Sequence, residues 1–432
     1  MVEDNITQPL EKEQSELHQR ALTRILKIFS SAGKKINAST YDIIDKLIKI
    51  AILEGKTETE ILTFILEEYI YTDRTTNPES QNPAERPIMR LRKLIQDVPN
   101  LSDLVNVAMA LREKTDRKYW PNWCFIPKHV WLSILHVAQN KNVSFETTAQ
   151  NPKTYDLTTR LTSIGTWRYS QGIYNFEPEI YNALLESEIP EILPSNILLQ
   201  LPEWSMYIPT PKMTFYGYNV YGFFASLDVA IDDENDDITP YLFITLDTEE
   251  LHTIPIPLTN ENLISTIDNI IRKKTSSDEI DIIDVLGGNE MIKTMTLKTI
   301  TPLLSLLLYI CGNEPEIDNL KKPKTSPSNP QTRKIKGVYK VFPATNPVIW
   351  TIGKKISETL RNIDREYRGG SKIGGQKRPH FRKGHHNYYW TGPRSSEQTR
   401  ILKWIPPKIV AQKTEENPEK NDKSTENTSD DA

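Results

Sequence analysis

Apolar residues recur at three- and four-residue spacing through the first part of the chain. Leu22, Ile25, Leu26 and Phe29, and later Ile61, Phe64, Ile65 and Tyr69, each mark one face of a helix. Gly33 and Gly55 stand where helix C-termini would close, and Thr57 followed by Glu60 has the capping-box spacing that starts a helix. Residues 10 to 71 are therefore expected to form three helices. Thr75 to Pro87, with Pro78, Pro83 and Pro87 among polar residues, interrupts the pattern and reads as a linker. Two more helices are expected over Ile88–Val98 and Ser102–Arg112, with Ser102 as an N-cap.

From Pro127 to Gln200 the helical period returns, with Trp131, Leu132 and Leu135 on one buried face and Leu161, Ile164, Trp167 and Ile173 on another. Beyond Leu201-Pro202-Glu203-Trp204 the pattern turns strand-like. Ser205–Ile208, Gly222–Val229, Tyr241–Leu246 and His252–Leu258 are rich in aromatic and β-branched residues. Asn260–Lys273 has a helical pattern, and Thr299–Cys311, apolar nearly all round, should be a buried central helix. Val338–Phe342 is expected as a strand. Pro347–Tyr367 reads as an amphipathic helix, with Ile349, Ile352, Ile356, Leu360 and Ile363 on one side and Lys354, Lys355, Arg361 and Arg365 exposed. Thr399–Ile405 should pair back on Asn387–Trp390 as a hairpin.

The fold class expected from this pattern is α+β: a helical N-terminal module, a mixed domain with an antiparallel sheet, and a basic C-terminal helix plus β-hairpin. The corresponding divisions are a helical module over 1–75, linker and helices over 76–118, a mixed core domain over 119–320, the basic region over 321–410 and a disordered tail over 411–432.

With 432 residues the chain has room for two or three domains. Its net charge is only −4, but Arg333 to Lys408 holds 18 Lys and Arg against four acids, a local balance of +14. Such asymmetry suits an anionic partner, nucleic acid first and a membrane surface second, or a basic face docked on the protein's own acidic portion. Two distant cysteines, Cys124 and Cys311, provide neither a disulfide framework nor a zinc ligand set, and accord with a reducing cytoplasm. Met1-Val2-Glu3-Asp4-Asn5 lacks the basic and apolar regions of a signal peptide. The longest mainly apolar run, Leu303–Cys311, is too short to span a bilayer.

Candidate chemistry concentrates in residues 376–392, where three of the seven histidines, four basic residues and four aromatics share seventeen positions. Cations neutralise phosphates and flat rings stack on bases, so this composition suits single-stranded nucleic acid. The candidate phosphate contacts are Lys377, Arg378, Arg382, Lys383, Arg394, Arg400 and Lys403. Tyr388, Tyr389, Trp390 or Trp404 offer stacking faces, beside the rings of His380, His385 and His386. Successive strand residues point to opposite faces, so of Tyr389 and Trp390 one ring is expected in the core and the other free. Adjacent histidines point apart for the same reason, with no cysteine or carboxylate between them, and no metal is expected there. The acidic run Asp232–Asp237 lacks the glycine and terminal glutamate of an EF-hand loop and reads as a solvated turn. A ribonuclease using a histidine pair as base and acid is an alternative, as is a basic surface hairpin with no ligand. No nucleotide-binding or hydrolase motif is present, no cofactor is expected, and Gly369–Gly375 reads as a hinge.

Several segments, in order, resemble one known family. They are Trp167-Arg168-Tyr169-Ser170-Gln171-Gly172-Ile173-Tyr174, Leu201-Pro202-Glu203-Trp204-Ser205-Met206-Tyr207-Ile208, Gly222-Phe223-Phe224-Ala225, Leu303 to Ile317 ending in Glu314-Pro315-Glu316-Ile317, Pro347 to Gly353, Lys377 to His385, Tyr389-Trp390-Thr391-Gly392 and Lys403-Trp404-Ile405-Pro406. Together, over roughly residues 120 to 410, they are similar to the type V-A anti-CRISPR proteins that lower the amount of the Cas twelve-a nuclease by acting on its messenger during translation, and to their plasmid and phage relatives. This family often has His-x-His where the present chain has His385-His386-Asn387. The resemblance implies an anti-defence adaptor of a mobile element. One surface would meet the emerging N-terminal peptide of the nuclease, and another would engage the mRNA or ribosome. Trp167, Arg168, Tyr174, Trp204 and Tyr207 are the candidate peptide-binding residues, the aromatics forming either the peptide groove or its core, and the basic region over 368–404 is the candidate RNA surface. A general single-stranded nucleic-acid-binding protein of a plasmid or phage is the alternative.

Overall fold

The aromatic and β-branched runs beyond Trp204 form the strands their pattern predicts, each continuing past its apolar centre. In the computed structural model, which describes residues 4–31, 38–53, 55–62, 84–139, 143–192, 195–215, 218–231, 237–259, 262, 265–266, 269–270, 289–322, 324–335, 338–369, 380–392 and 398–410, the chain is a mixed sheet between two layers of helices. The strands are β1 Gly172–Phe176, β2 Ser205–Phe215, β3 Tyr218–Ile231, β4 Ile238–Asp247, β5 Leu251–Pro257, β6 Ile317–Asp318, β7 Arg333–Ile335, β8 Val338–Lys340, β9 Val348–Ile352, β10 His380–Arg382, β11 His385–Thr391, β12 Thr399–Ile405 and β13 Lys408–Val410. The helices are α1 Asp4–Ser31, α2 Ala38–Leu53, α3 Glu85–Asp97, α4 Leu101–Arg112, α5 Lys128–Gln139, α6 Phe145–Gln150, α7 Pro152–Arg160, α8 Pro178–Leu185, α9 Ser195–Leu198, α10 Asn289–Cys311 and α11 Lys354–Gly369.

Seven strands form the main sheet in the order β5-β4-β3-β2-β1-β9-β6. The meander β2 to β5 is antiparallel, and β1 lies parallel to both β2 and β9, with Ile173 opposite Tyr207 and Tyr174 opposite Trp350. Side chains alternate across the sheet. Ile173, Tyr207 and Phe224 pack with Leu94, Val105, Trp131, Leu161 and Trp167 from the helices that precede the sheet in the chain. Tyr174, Met206, Ile208, Phe223, Ala225, Leu242 and Trp350 pack on the other side with Ile180, the leucines of α10, and Leu360. Burial on both faces explains why β3 is buried from Gly222 to Val229 with no polar alternation.

Two segments expected as helix are strands. Ile173 belongs to β1, and Ile349 and Ile352 belong to β9, the helix beginning only at Lys354. Val348-Ile349-Trp350-Thr351-Ile352 is a β-branched and aromatic run that pairs on both sides. Gly353 then turns the chain with φ of +75°, and a Cβ there would lie 2.6 Å from Ile180 Cδ1, so only glycine makes this strand-to-helix corner. Glu316 caps the new helix, its carboxylate accepting the backbone N–H of Lys355 at 2.9 Å and of Ile356 at 3.2 Å.

The central helix α10 extends back through Pro302 to Asn289, and Leu303, Leu304, Leu306, Leu307 and Leu308 are all fully buried. The capping box is present: Thr57 N–H donates to Glu60 Oε2 at 2.8 Å, and Glu60 N–H donates to Thr57 Oγ1 at 3.4 Å. Helix α3 starts at Glu85, so Pro87, expected in the linker, occupies its first turn. The remaining linker through residue 83, the turn over 232–236, most of the Asn260–Lys273 helix, the glycine hinge over 370–375 and the tail over 411–432 lie outside the described residues. A buried ion cluster ties α3 to the sheet. Arg86 and Arg90 both bond Asp247 Oδ1, at 3.0 and 2.8 Å, and Tyr207 Oη donates to Asp247 Oδ2 at 3.0 Å.

Candidate nucleic-acid interface

The hairpin β11–β12 pairs from His385 opposite Ile405 to Thr391 opposite Thr399. Opposed residues share a face, so His386, Tyr388 and Trp390 line up with Trp404, Leu402 and Arg400, while His385, Asn387 and Tyr389 line up with Ile405, Lys403 and Ile401. The first face is joined to the core. Leu402 is buried, and Trp404 Nε1 donates to Ser187 Oγ at 2.9 Å while its ring meets Tyr309 edge-on at 5.7 Å. His386 is buried with Nε2 3.1 Å from Ser305 Oγ on α10. Burial, with a smaller contribution from His385, pushes the His386 pKa down to about 4, so this imidazole is neutral at pH 7. Backbone bonds complete the joint, from His386 N–H to Glu188 O at 3.2 Å and from Asn313 N–H to Leu402 O at 3.0 Å.

The accessible chemistry lies on the outer face and at the far end of the hairpin. Tyr389 is 40% exposed and Trp390 66% exposed. The expectation that one of these rings would be buried is not met. Trp390 has the inward parity of His386, but the hairpin overhangs the core at this end and leaves both rings in solvent. Lys383 and Asn387 are exposed, and half-buried Lys403 sits opposite Asn387, one step along the outer face from Tyr389. His385 is half-buried.

Of the other candidate RNA contacts, Lys377, Arg378 and Arg394 lie outside the described residues. His380 and Arg382 are on β10, paired with Val410 and Lys408 of β13, and Arg400 is opposite Trp390. On α11, Lys354, Lys355 and Arg365 are exposed, whereas Arg361 is engaged, its Nε donating to Glu179 at 2.5 Å and its Nη2 lying 3.4 Å from Glu177.

The candidate peptide residues are placed differently. Trp167, Tyr174 and Tyr207 are buried, with Trp167 Nε1 donating to Gly172 O at 2.8 Å. Arg168 is half-buried. Trp204 is also half-buried, stacked on Phe125 at 4.6 Å, and its Nε1 donates to Asn122 O at 3.1 Å. Only Arg168 and Trp204 of this group present surface.

Sequence reasoning missed the group beneath them. Glu203 is buried where three of the motif segments converge, facing Ser170 and Tyr174 from one and Trp350 from another. Burial raises its pKa to about 8, against the lowering influence of those three side chains. Glu203 Oε2, Tyr174 Oη and Trp350 Nε1 are buried without a hydrogen bond of good geometry. A Cβ on Gly172 would lie 1.9 Å from Oε2, so this glycine makes room for the carboxyl. The available signal was one acid, Glu203, set among Leu201, Pro202 and Trp204. Among the described residues no three His, Cys, Asp or Glu side chains are grouped to hold a metal ion.

A family model described as AcrVA2-like, anti-CRISPR type V subtype A2 family, matches residues 174–412, more than half of the chain. The chain belongs to this anti-CRISPR family. The matched part of the anti-CRISPR chain contains the whole main sheet apart from the first two residues of β1, together with α10, α11 and the hairpin. The chain is also 24% identical over 259 residues to Protein FinQ of Escherichia coli, covering 56% of this chain and 73% of that protein. Its fold is similar to that in a solved structure titled "Crystal structure of AcrVA2", with TM-score 0.52 and 20% identity over 76% of this chain and 99% of that one. Among the described residues of this family member, no helix is long and apolar enough to cross a membrane.

Proposed function

We propose that this anti-CRISPR protein, carried by a mobile genetic element, acts in the cytoplasm as an adaptor that recognises the nascent peptide of a type V CRISPR nuclease and promotes loss of its mRNA. Family membership supports the target class. The RNA half rests on one observation: Tyr389 and Trp390 both stand in solvent at the end of a hairpin whose base is held by the core, with Lys403 one step along the outer face from Tyr389. Exposed rings stack on bases, and Lys403 neutralises an adjoining phosphate. Arg168 and Trp204 are the accessible members of the peptide set, and Trp167 and Tyr207 support them from the core on the same side of the sheet as Trp204, whereas Tyr174 faces the opposite core.

A histidine-dependent ribonuclease built on His386 is disfavoured. A base and acid pair needs two imidazoles that reach the substrate, and His386 is buried against Ser305. The experiment that tests the adaptor is co-expression with a reporter carrying the first codons of the matching nuclease. The message should fall with wild-type protein, and fall less with Trp390→Ala. A message level unaffected by wild-type protein refutes the reading. A fall that does not depend on the encoded peptide favours a general single-stranded nucleic-acid-binding protein instead.

A further inference from the structure

Between Asn319 and Ser357 the chain has nine Lys or Arg and no acidic residue. Lys321, Lys322, Lys324, Arg333 and Lys334 in this strap are all exposed. The strap borders an open cleft of about 480 Å³ lined by Ser328, Asn329, Pro330, Gln331, Arg333 and Phe342, and the Phe342 ring is 50% exposed. Both walls are anchored. Asn329 Oδ1 accepts the Trp204 N–H at 2.6 Å, Ala344 N–H donates to Tyr169 O at 3.2 Å, and Gln171 Nε2 donates to Ala344 O at 2.6 Å. The lysine turn is fixed as well, with the N–H groups of Lys321 and Lys322 donating to Asn319 Oδ1 at 3.0 and 3.1 Å. Val341 and Trp204 place the cleft against the core on the side of the sheet covered by the helices that precede it in the chain, whereas the hairpin packs on the opposite core. The two surfaces are therefore independent.

The lining defines a ligand chemistry. Phe342 offers a flat apolar face, Arg333 a guanidinium matched to phosphate, and Gln331 an amide that can pair with a base edge beside the Asn329 Nδ2 donor, the Asn329 Oδ1 being held by Trp204. The volume falls within the roughly 300–1,000 Å³ of small-ligand sites. An acidic peptide would use the cations but has no need of the ring and the amides. We propose that this cleft takes one nucleotide unit of a single-stranded RNA, the base stacked on Phe342 and its phosphate on Arg333, with Lys321, Lys322 and Lys324 along the flanking phosphates. This rests on the RNA half of the function above and not on the hairpin.

The test uses the full chain and a short fluorescein-labelled single-stranded oligoribonucleotide, read by anisotropy across a salt series, with ultraviolet cross-linking to locate the contact. Phe342→Ala should weaken binding roughly tenfold with the salt slope unchanged. Arg333→Ala should lower that slope by about 0.7, the single-strand value for one phosphate, and cross-links should map within 328–342. Both side chains are exposed, so thermal melts of the variants should match wild type. If Phe342→Ala and Arg333→Ala bind like wild type while Trp390→Ala binds more weakly, the cleft is not an RNA site and the hairpin reading stands. If the cleft variants bind more weakly while Trp390→Ala does not, the cleft stands and the hairpin reading falls. Absence of RNA binding by the wild-type chain, including the case in which an acidic peptide binds instead, overturns the proposal.

Discussion

Replacing Asp247 by Asn should cost the fold about 3 kcal/mol. The carboxylate is fully buried and takes Arg86 Nη2 and Arg90 Nε on Oδ1 and the Tyr207 hydroxyl on Oδ2. An asparagine oxygen can stay on the arginine side while its amide faces Tyr207, whose hydroxyl can rotate to accept. The loss is therefore chiefly of charge, and two guanidiniums lose the buried carboxylate they share. Removing one member of a buried pair costs about 3–5 kcal/mol. The lower end applies because the two arginine side chains keep 17% and 11% exposure and still donate to Thr248 O, at 2.7 and 2.5 Å. In a thermal melt this amounts to a fall in Tm of about 6–12 °C. Urea unfolding of wild type, Asp247→Asn, Arg90→Met and the double variant closes the cycle. The double variant should lose less than the sum of the singles, since Arg90 has less to lose once Asp247 is gone. A loss below about 1 kcal/mol for Asp247→Asn, or strict additivity, would show that the cluster does not fasten α3 to the sheet.

Two buried groups predict opposite pH dependences. Glu203 titrates near 8 in the fold, above its ordinary 4.5, so the folded state holds a proton that the unfolded chain has released; the associated stability is full below about pH 4.5 and lost as pH rises through 8. Glu203→Gln should remove that decline, and its stability relative to wild type should rise by ~2–4 kcal/mol between pH 5 and pH 8; a constant difference in urea titrations would exclude a buried neutral carboxyl. His386 has its pKa lowered from 6.5 to about 4, so its contribution is present above pH 6.5 and lost as pH falls toward 4. His386→Leu orphans Ser305 Oγ and should be less stable than wild type at pH 7 by about 1 kcal/mol. That gap should close by pH 5, and a gap that widens on acidification would contradict the buried neutral imidazole.

The strands β2 to β5 were legible because each contains a run of aromatic and β-branched residues, and the hairpin because two such runs flank a turn. Strands β1 and β9 were not, and for β9 the reason is specific. Ile349, Ile352, Ile356 and Leu360 continue one three-and-four spacing across the strand–helix junction, so the phase of the real helix extends backwards through the strand, and only the left-handed Gly353 breaks it. Glu203 was illegible because its meaning depends on register: until β1 lies beside β2 and β9, nothing brings Gly172, Tyr174 and Trp350 to its carboxyl. The lysine- and proline-rich composition of residues 320–330 was plain, but its docking against Trp204 through Asn329 is a tertiary fact.

The same contrast bears on what the family motifs encode. Trp167 holds the turn into β1, Tyr207 the ion cluster, Glu316 the start of α11, Gly353 its corner and Trp404 the base of the hairpin. Each is a motif residue whose side chain or backbone is committed to architecture. A substitution at any of them would destabilise the frame, so a loss of activity there would reveal little about the partner. The discriminating substitutions are at Trp390, Tyr389, Phe342 and Arg333, which leave the core untouched and remove one contact at a time.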